Sequence, residues 1–510
     1  MAKKTVVLIV LDGWGIGKND QSNPLFVAHP PTFAALAAQY PVTSLQASGI
    51  AVGLPWGEIG NSEVGHLTLG AGKVIYQYFP KITMAVNDGS FFENGPLKAA
   101  MAHAVKNNAA VNLAGLLTKA NIHASIDHLG ALIKMAKNEG VQTINLHLFA
   151  DGEDSPPRSL DDLLALIPRE YLASLTGRYY AMDRNGNWRL TETAYQAMIG
   201  ASGTLVADPT AAIAATYQQN GTEEYLPALR FADDKKVHDG DALIFFNYRE
   251  DSIRQLAAAF IKKDFAEFPV ARFNDLSIVT MTHYDDAFDV PVAFPADIVT
   301  DPLGKVLSDA GLTQLRLAET YRYAHVTYFF NGLYEPPFPG EYRTLVPSNT
   351  NLHPEEHPEM MARAVTDRLL EAIRDHGFDF ILVNYANPDT IAHTANFDAA
   401  LAAIAVVDAE IARVVAAADA DTTLIITSDH GNIEKMIDEH TGVPESSHDA
   451  NPVPLYLVGA PFKGRRFVNS DDLVSETLGS LADVAPTILE LMDIPKPADM
   501  SGSSLLDSLI

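Results

Sequence analysis

The stretch Thr5-Val6-Val7-Leu8-Ile9-Val10-Leu11-Asp12-Gly13-Trp14-Gly15 decides the class of fold. Val6 to Leu11 is an unbroken apolar run rich in β-branched residues. A strand with one wet face alternates apolar with polar. A run without alternation predicts a strand covered on both faces, as in a parallel sheet between helices. The run ends in a carboxylate, Asp12, at a strand-to-loop junction. Sites in open α/β sheets form outside the carboxyl ends of strands, so Asp12 stands where chemistry is expected; for this residue alone an Asx-turn is the alternative.

The pattern returns late in the chain. Phe380 to Asn384 reads as a strand ending near Asp389 and His393, Thr422 to Thr427 as one ending at Asp429-His430-Gly431, and Val453 to Val458 as one just after His448. Between these parts, from about Tyr78 to Ala296, apolar runs alternate with amphipathic helices. Val111–Leu117 is followed by a loop carrying His123 and by a helix over Asp127–Asn138. Thr143–Phe149 leads into Asp151-Gly152-Glu153-Asp154, and Ala242–Phe246 into Asn247-Tyr248-Arg249. This alternation predicts a compact α/β domain of its own. Two prolines in Pro291–Pro295 point to a linker back. No internal repeat or low-complexity tract is evident.

At 510 residues, two or three domains and a large core are expected. The chain has no cysteine, which excludes disulfides, thiolate metal sites and cysteine nucleophiles. Lys+Arg 36 against Asp+Glu 64 gives a net charge of −28, so nucleic acid and anionic membranes are not expected partners. An anionic substrate must then be held by local arginines or by metal cations. The apolar run after Lys4 is too short for a signal or membrane segment and ends in a charge, so cytoplasmic residence is the default expectation.

A second stretch, Gly57 to Gly72, packs Asn61, Ser62, Glu63 and His66 among glycines. Glycines let backbone approach a ligand, and a helix starting at Asn61 or Ser62 would aim free N–H groups at an anion. Ser62 alone reads as a helix cap, a phosphate ligand or a nucleophile. The residues elsewhere shift that balance. Asp389 and His393 are four apart, on one face of a helical turn. With Asp12, Asp429, His430 and His448 they make three aspartates and three histidines near strand ends. That nitrogen/oxygen set suits two divalent ions, Mn²⁺ or Zn²⁺ better than Mg²⁺ alone. Two such ions serve in-line phosphoryl displacement, and one on Ser62 would lower its hydroxyl pKa. The residue types thus point to metal-dependent phosphoryl or sulfuryl transfer through Ser62.

These motifs resemble cofactor-independent phosphoglycerate mutases of the alkaline-phosphatase superfamily, over essentially the whole chain. The matching signatures are Leu11-Asp12-Gly13, Gly60 to His66, Gly70-Ala71-Gly72, Asp88 to Phe92, Gly177 to Arg184, Tyr323 to Thr327, Asn384 to His393 and Asp429 to Asn432. The resemblance implies an alkaline-phosphatase-like α/β sheet domain flanked by helices, residues 1–76 and 297–510. A second α/β transferase domain, 77–296, interrupts it. It implies one ion on Asp389, His393 and His448, and another on Asp12, Ser62, Asp429 and His430. The ions would be Mn²⁺, with Zn²⁺, Co²⁺ or Mg²⁺ as alternatives, and no bisphosphoglycerate would be needed. Ser62 would carry the phosphoryl group, and Asp154 would shuttle a proton. His123, Glu153, Asp154, Arg184, Arg249 and Arg322 fall at the family's substrate positions. A monomer acting on a small phosphorylated substrate is implied, opening and closing about hinges near Tyr76–Tyr78 and Pro291–Pro295.

The substrate positions depart from the family pattern. Glu153, Leu190 and Ser252 stand where the family has arginine, with Arg189 beside Leu190 as a stand-in, and Arg322 stands for its lysine. Lost arginine contacts would weaken binding of a glycerate phosphate. Two other readings therefore stay open: a phosphatase or phosphomutase acting on a different phospho- or phosphono-compound, and a non-catalytic metal-binding relative.

Overall fold

In a computed structural model the described residues are 4–349, 353–438, 440–465 and 477–510. The chain divides into two compact units, one running to Gln77 and resuming at Asp297, the other spanning Tyr78–Ala296. Fifteen strands are formed among the described residues. The first unit opens with β1 (Thr5–Leu11) and β2 (Val42–Gln46). The inserted unit contributes β3 (Ala110–Leu117), β4 (Thr143–Ala150), β5 (Leu172–Gly177), β6 (Thr204–Leu205), β7 (Leu229–Arg230), β8 (Ala242–Phe245) and β9 (Ser277–Thr280). The first unit resumes with β10 (Gln314–Glu319), β11 (Glu341–Val346), β12 (Phe380–Tyr385), β13 (Thr422–Thr427), β14 (Val453–Val458) and β15 (Thr477–Ser480).

The first unit's sheet runs β11-β10-β12-β1-β13-β14-β2-β15. β1 sits between β12 and β13, parallel to both, with Leu8 opposite Leu382 and Ile425. Its unbroken apolar run is explained by two cores. Val7, Ile9 and Leu11 join the cluster on one face, while Val6, Leu8 and Val10 join the cluster on the other. Each face is covered, so neither set of alternate residues can be polar.

β14 runs antiparallel to β13. His448 precedes β14, yet this reversal brings the start of that strand to the edge where β1, β12 and β13 end. A residue before an antiparallel strand thereby joins residues that follow parallel ones.

The inserted unit's sheet runs β6-β7-β5-β4-β3-β8-β9, parallel except where β7 meets β5, and has its own core. The segment Pro291–Pro295 lies just before the chain returns to the first unit at Asp297, and it is held against the inserted unit. Val292 bridges Thr280, the Ala293 and Phe294 N–H groups donate to Thr280 and Met281 carbonyls, and both side chains are buried. Proline lacks a donor, but the residues between the two prolines have theirs and use them to extend the β9 edge. Among the described residues no helix is long and apolar enough to cross a membrane.

Candidate metal centre and substrate cavity

Each expected ligand is carried to one edge of the first sheet by its strand. Asp12 follows β1, Asp389 and His393 lie on the short helix Asn387–Ala392 and its C-cap after β12, and Asp429 and His430 follow β13. Gly13, with φ +68°, allows the turn after Asp12; a side chain there would meet Asp389 Cβ at 2.8 Å. The helix Ser62–Ala71 lies against the same edge, and Gly65 permits its approach, since a Cβ would stand 2.5 Å from the Asp429 carbonyl.

The structure assigns the cap of that helix to Asn61, whose side chain accepts from the Val64 N–H at 3.0 Å. Ser62, the first helical residue, is therefore not the cap. Its hydroxyl lies 3.1 Å from Asp12 Oδ1 and 2.9 Å from His430 Nε2. Nine-tenths buried, it also lines a cavity of about 420 Å³ with Arg322, His325, Asp389, His393 and His448.

The ring nitrogens show what this edge is built to hold. His393 Nδ1 donates to the Ser446 carbonyl at 2.9 Å, and His448 Nδ1 to the Gly60 carbonyl at 2.8 Å. A carbonyl only accepts, so both protons sit on Nδ1 in the neutral rings. The two Nε2 lone pairs are then 3.0 Å apart, with Asp389 Oδ1 3.3 and 3.2 Å from them. Lone pairs and a carboxylate converging on one point repel each other unless a proton or a metal cation lies among them. Histidines donating their other N–H to backbone carbonyls are the usual arrangement at a metal. His430 repeats it with Nδ1 on the Gly431 carbonyl at 3.2 Å. Asp12, Asp389 and His430 place ligand atoms within 4.8 Å of one another, as do Asp389, His393 and His448. Asp429 Oδ2, fully buried, accepts no hydrogen bond from the described residues. The donor set thus fits divalent cations.

The electrostatics agree. Burial would lower the His430 pKa, but the carboxylates of Asp429, Asp12 and Asp389 outweigh it and push it up to about 10. Burial would raise Asp12 and Asp389, yet both are held far below the usual carboxylate range. Arg322 and His430 do this for Asp12; hydrogen bonds from His393 and His448 lead for Asp389. Arg322, expected among substrate residues, reaches two of the ligands. Its Nε donates to Asp12 Oδ2 at 2.7 Å and its terminal nitrogen to Asp389 Oδ2.

Sequence reasoning named His66 in a motif but gave it no role. Its Nδ1 donates to the Ser62 carbonyl at 2.8 Å and lies 3.1 Å from Asp429 Oδ2. Asn384 Nδ2 donates to Asp12 Oδ2 at 2.8 Å and approaches His66 Nε2 at 3.1 Å. With both ring nitrogens engaged, His66 orients the ligands rather than joining them.

The inserted unit has a cavity of about 190 Å³ at the carboxyl ends of β3, β4, β5 and β8. Asp151, just past β4, ties its loop down: its carboxylate accepts from the N–H groups of Glu153, Asp154 and Ser155 and from Thr118 Oγ1. Arg178, just past β5, was missed because its motif was read for Arg184. Buried, it donates one nitrogen to Asp151 Oδ1 and Asp154 Oδ2, both at 2.7 Å, and its Nε stands 3.1 Å from Glu153. His123 Nδ1 is 3.0 Å from Ser252 Oγ and its Nε2 3.9 Å from Asp154; burial, then Arg178, lowers its pKa. Arg184 and Arg249 converge on Asp251 at 2.8 and 3.0 Å. Arg189 is exposed at the start of the Trp188–Met198 helix.

Fold and ligand set define a metalloenzyme, and the profile of the Metalloenzyme superfamily matches residues 4–496. The 2,3-bisphosphoglycerate-independent phosphoglycerate mutase of Moorella thermoacetica is 42% identical over 99% of this chain and 98% of its own length. That of Pseudomonas putida strain KT2440 is 43% identical with the same coverage. A crystal structure of Leishmania mexicana phosphoglycerate mutase at low cobalt concentration superposes with a TM-score of 0.53 at 27% identity, covering 99% of this chain and 98% of that one. The chain belongs to the family of 2,3-bisphosphoglycerate-independent phosphoglycerate mutases and is an enzyme that binds divalent metal.

Proposed function

We propose that this enzyme interconverts 3-phosphoglycerate and 2-phosphoglycerate through a phosphoserine at Ser62, without bisphosphoglycerate. The observation that carries the reading is the placement of a nine-tenths buried serine hydroxyl within 3.1 Å of Asp12 and 2.9 Å of His430, at the edge where the Nε2 atoms of His393 and His448 converge. We assign one ion to Asp389, His393 and His448, and the other to Asp12, Ser62, Asp429 and His430, with Mn²⁺ as the metal. When bound, such ions stabilise phosphoryl charge and lower the pKa of a serine hydroxyl. Ser62, ionised with its proton given up to solvent before the cycle, attacks phosphorus, so that the Oγ–P bond forms as the ester P–O bond breaks. The departing glycerate oxygen takes a proton from Asp154. Asp154 then accepts the proton of the other glycerate hydroxyl as that oxygen takes the phosphoryl group back. Arg178 holds Asp154, His123 sits beside it, and Arg184, Arg249 and Arg322 supply cations for the substrate's anionic groups. The net charge of −28 supports a small-molecule partner over nucleic acid or membrane, and we read the enzyme as a cytoplasmic monomer.

One observation favours a second reading. Glu153 occupies the Arg178 side of the cavity, and Arg184 and Arg249 are both matched by Asp251. That balance suits a phospho-compound bearing an amine or hydroxyl, with hydrolysis or transfer by the same Ser62.

The test is direct. Mn²⁺-loaded enzyme is given 3-phosphoglycerate, and 2-phosphoglycerate and free phosphate are followed. Conversion that disappears in Ser62→Ala, with the fold retained, is the expected result. Phosphate release alone favours the second reading, and full turnover by Ser62→Ala removes Ser62 from the mechanism.

A further inference from the structure

Three segments carry metal-type ligands at or beside one end: Asp12–Gly15, Asp429–Glu434 and His448–Asn451. One buried side chain touches all three. Glu434 is 1% exposed, and the hydrogen bonds its carboxylate accepts come from neutral donors. The Gly15 N–H donates to Oε2 at 3.0 Å, the Asn432 N–H to Oε2 at 2.8 Å, and Asn451 Nδ2 to Oε1 at 3.2 Å. Each donor is coupled to a ligand. Gly15 directly follows the turn closed by the Trp14 N–H on the Leu11 carbonyl, in which the Gly13 N–H donates to Asp429 Oδ1. Asn432 Nδ2 donates to Asp389 Oδ1 at 2.7 Å, and Asn451 lies three residues past His448.

The backbone is shaped around this carboxylate. A Cβ on either Gly15 or Gly431 would lie 2.2 Å from Glu434 Oε1, so both segments are bare of side chains where the carboxylate passes. A buried carboxylate on neutral donors costs more to place than an apolar side chain of the same size. Its use is orientation: two acceptor oxygens fix three donors at once, which no apolar group does.

We propose that Glu434 is the positioning residue of the metal centre, setting the mutual spacing of Asp12, Asp389, Asp429-His430 and His448 and thereby the affinity for divalent cations. This rests on the metal-binding reading. Its test is Mn²⁺ titration of the full chain after chelator stripping, by calorimetry and by the spin-resonance signal of free Mn²⁺. Glu434→Ala leaves both N–H groups without their acceptor and is expected to weaken binding about ten- to a hundredfold, the usual effect of losing an outer partner of a ligand. Glu434→Gln keeps an oxygen for both N–H groups, while its amide nitrogen faces an Asn451 side chain free to flip, so it restores binding close to wild type. Gly15→Ala drives a methyl group onto the carboxylate and is expected to match Glu434→Ala. The double variant adds no further loss, because the interaction is already gone; this holds the proposal to account even if Glu434→Ala folds poorly. Wild-type affinity in Glu434→Ala, equal weakening by Gln and Ala, or full additivity in the double variant overturns it. Wild-type protein that binds no Mn²⁺ removes the metal reading and this proposal with it.

Discussion

His393 and His448 each spend one ring proton on a carbonyl and turn the bare nitrogen toward the other. A site so arranged competes for protons as well as for metals. The carboxylates that hold His430 up to about 10 must be satisfied by a proton when no metal is bound, and His393 is raised too, chiefly by its hydrogen bond to Asp389. Metal binding must expel those protons, so affinity falls with falling pH, by up to about tenfold per unit for each proton displaced. Mn²⁺ titration at pH 6 and pH 8 should show at least tenfold weaker binding at pH 6; a pH-independent constant would count against protonated ligands. The sign for stability in the chelator-treated protein is set by the same raised value. The contribution of His430 is complete below its ordinary pKa near 6.5 and is lost as pH rises through about 10. Residue identity alone named these ligands. It did not reveal Arg178, His66 or Glu434, because residue type does not show which groups the fold brings to a side chain, such as Asp429 to His66 and the Gly15 N–H to Glu434.

The helix Ser62–Ala71 shows what one element contributes. Its start fixes Ser62, and Asn61 fixes its start through the Val64 N–H. Asn61→Ala should cost about 1 kcal/mol in denaturant unfolding, the usual value of an N-cap. Turnover should fall by more than that loss of folded protein explains if the fraying residue, Ser62, is the nucleophile proposed above. Unchanged turnover in fully folded Asn61→Ala would separate cap from catalysis. Glycine content reads as room for a ligand; the close approach seen at Gly65 is to the backbone of Asp429. At Pro291–Pro295, just before the chain returns to the first unit, backbone donors between the prolines pair with β9 and its next residue, which composition does not show.

Across the molecule, the two units have separate cores, and the described ligand groups all belong to the unit containing β1. Ligand binding to the folded state alone stabilises it by about 2.7 kcal/mol at a hundredfold excess over Kd, worth roughly 4–5 °C for a unit of this size. Calorimetry with and without chelator should therefore show two transitions, of which one moves by that amount and the other stays. A single transition shifting as a whole would mean that the units unfold together.

The sequence by itself indicated β1, β3, β4, β8, β12, β13 and β14 and the residue types at their ends, because continuous apolar runs and chemically distinctive side chains are local properties. Val6–Leu11 could only be covered on both faces, and Asp12 could only follow it. Tertiary structure alone decided which nitrogen of each histidine faces the site, that Asn61 rather than Ser62 caps the helix, and that Arg322 reaches Asp12 and Asp389. The cap depends on which residue's backbone turns out of the helix, and the others on carbonyls and carboxylates that the fold brings in, Gly60 to His448 and Asp12 to Arg322 from more than 300 residues away, as the parallel and antiparallel strands around β1 align their ends.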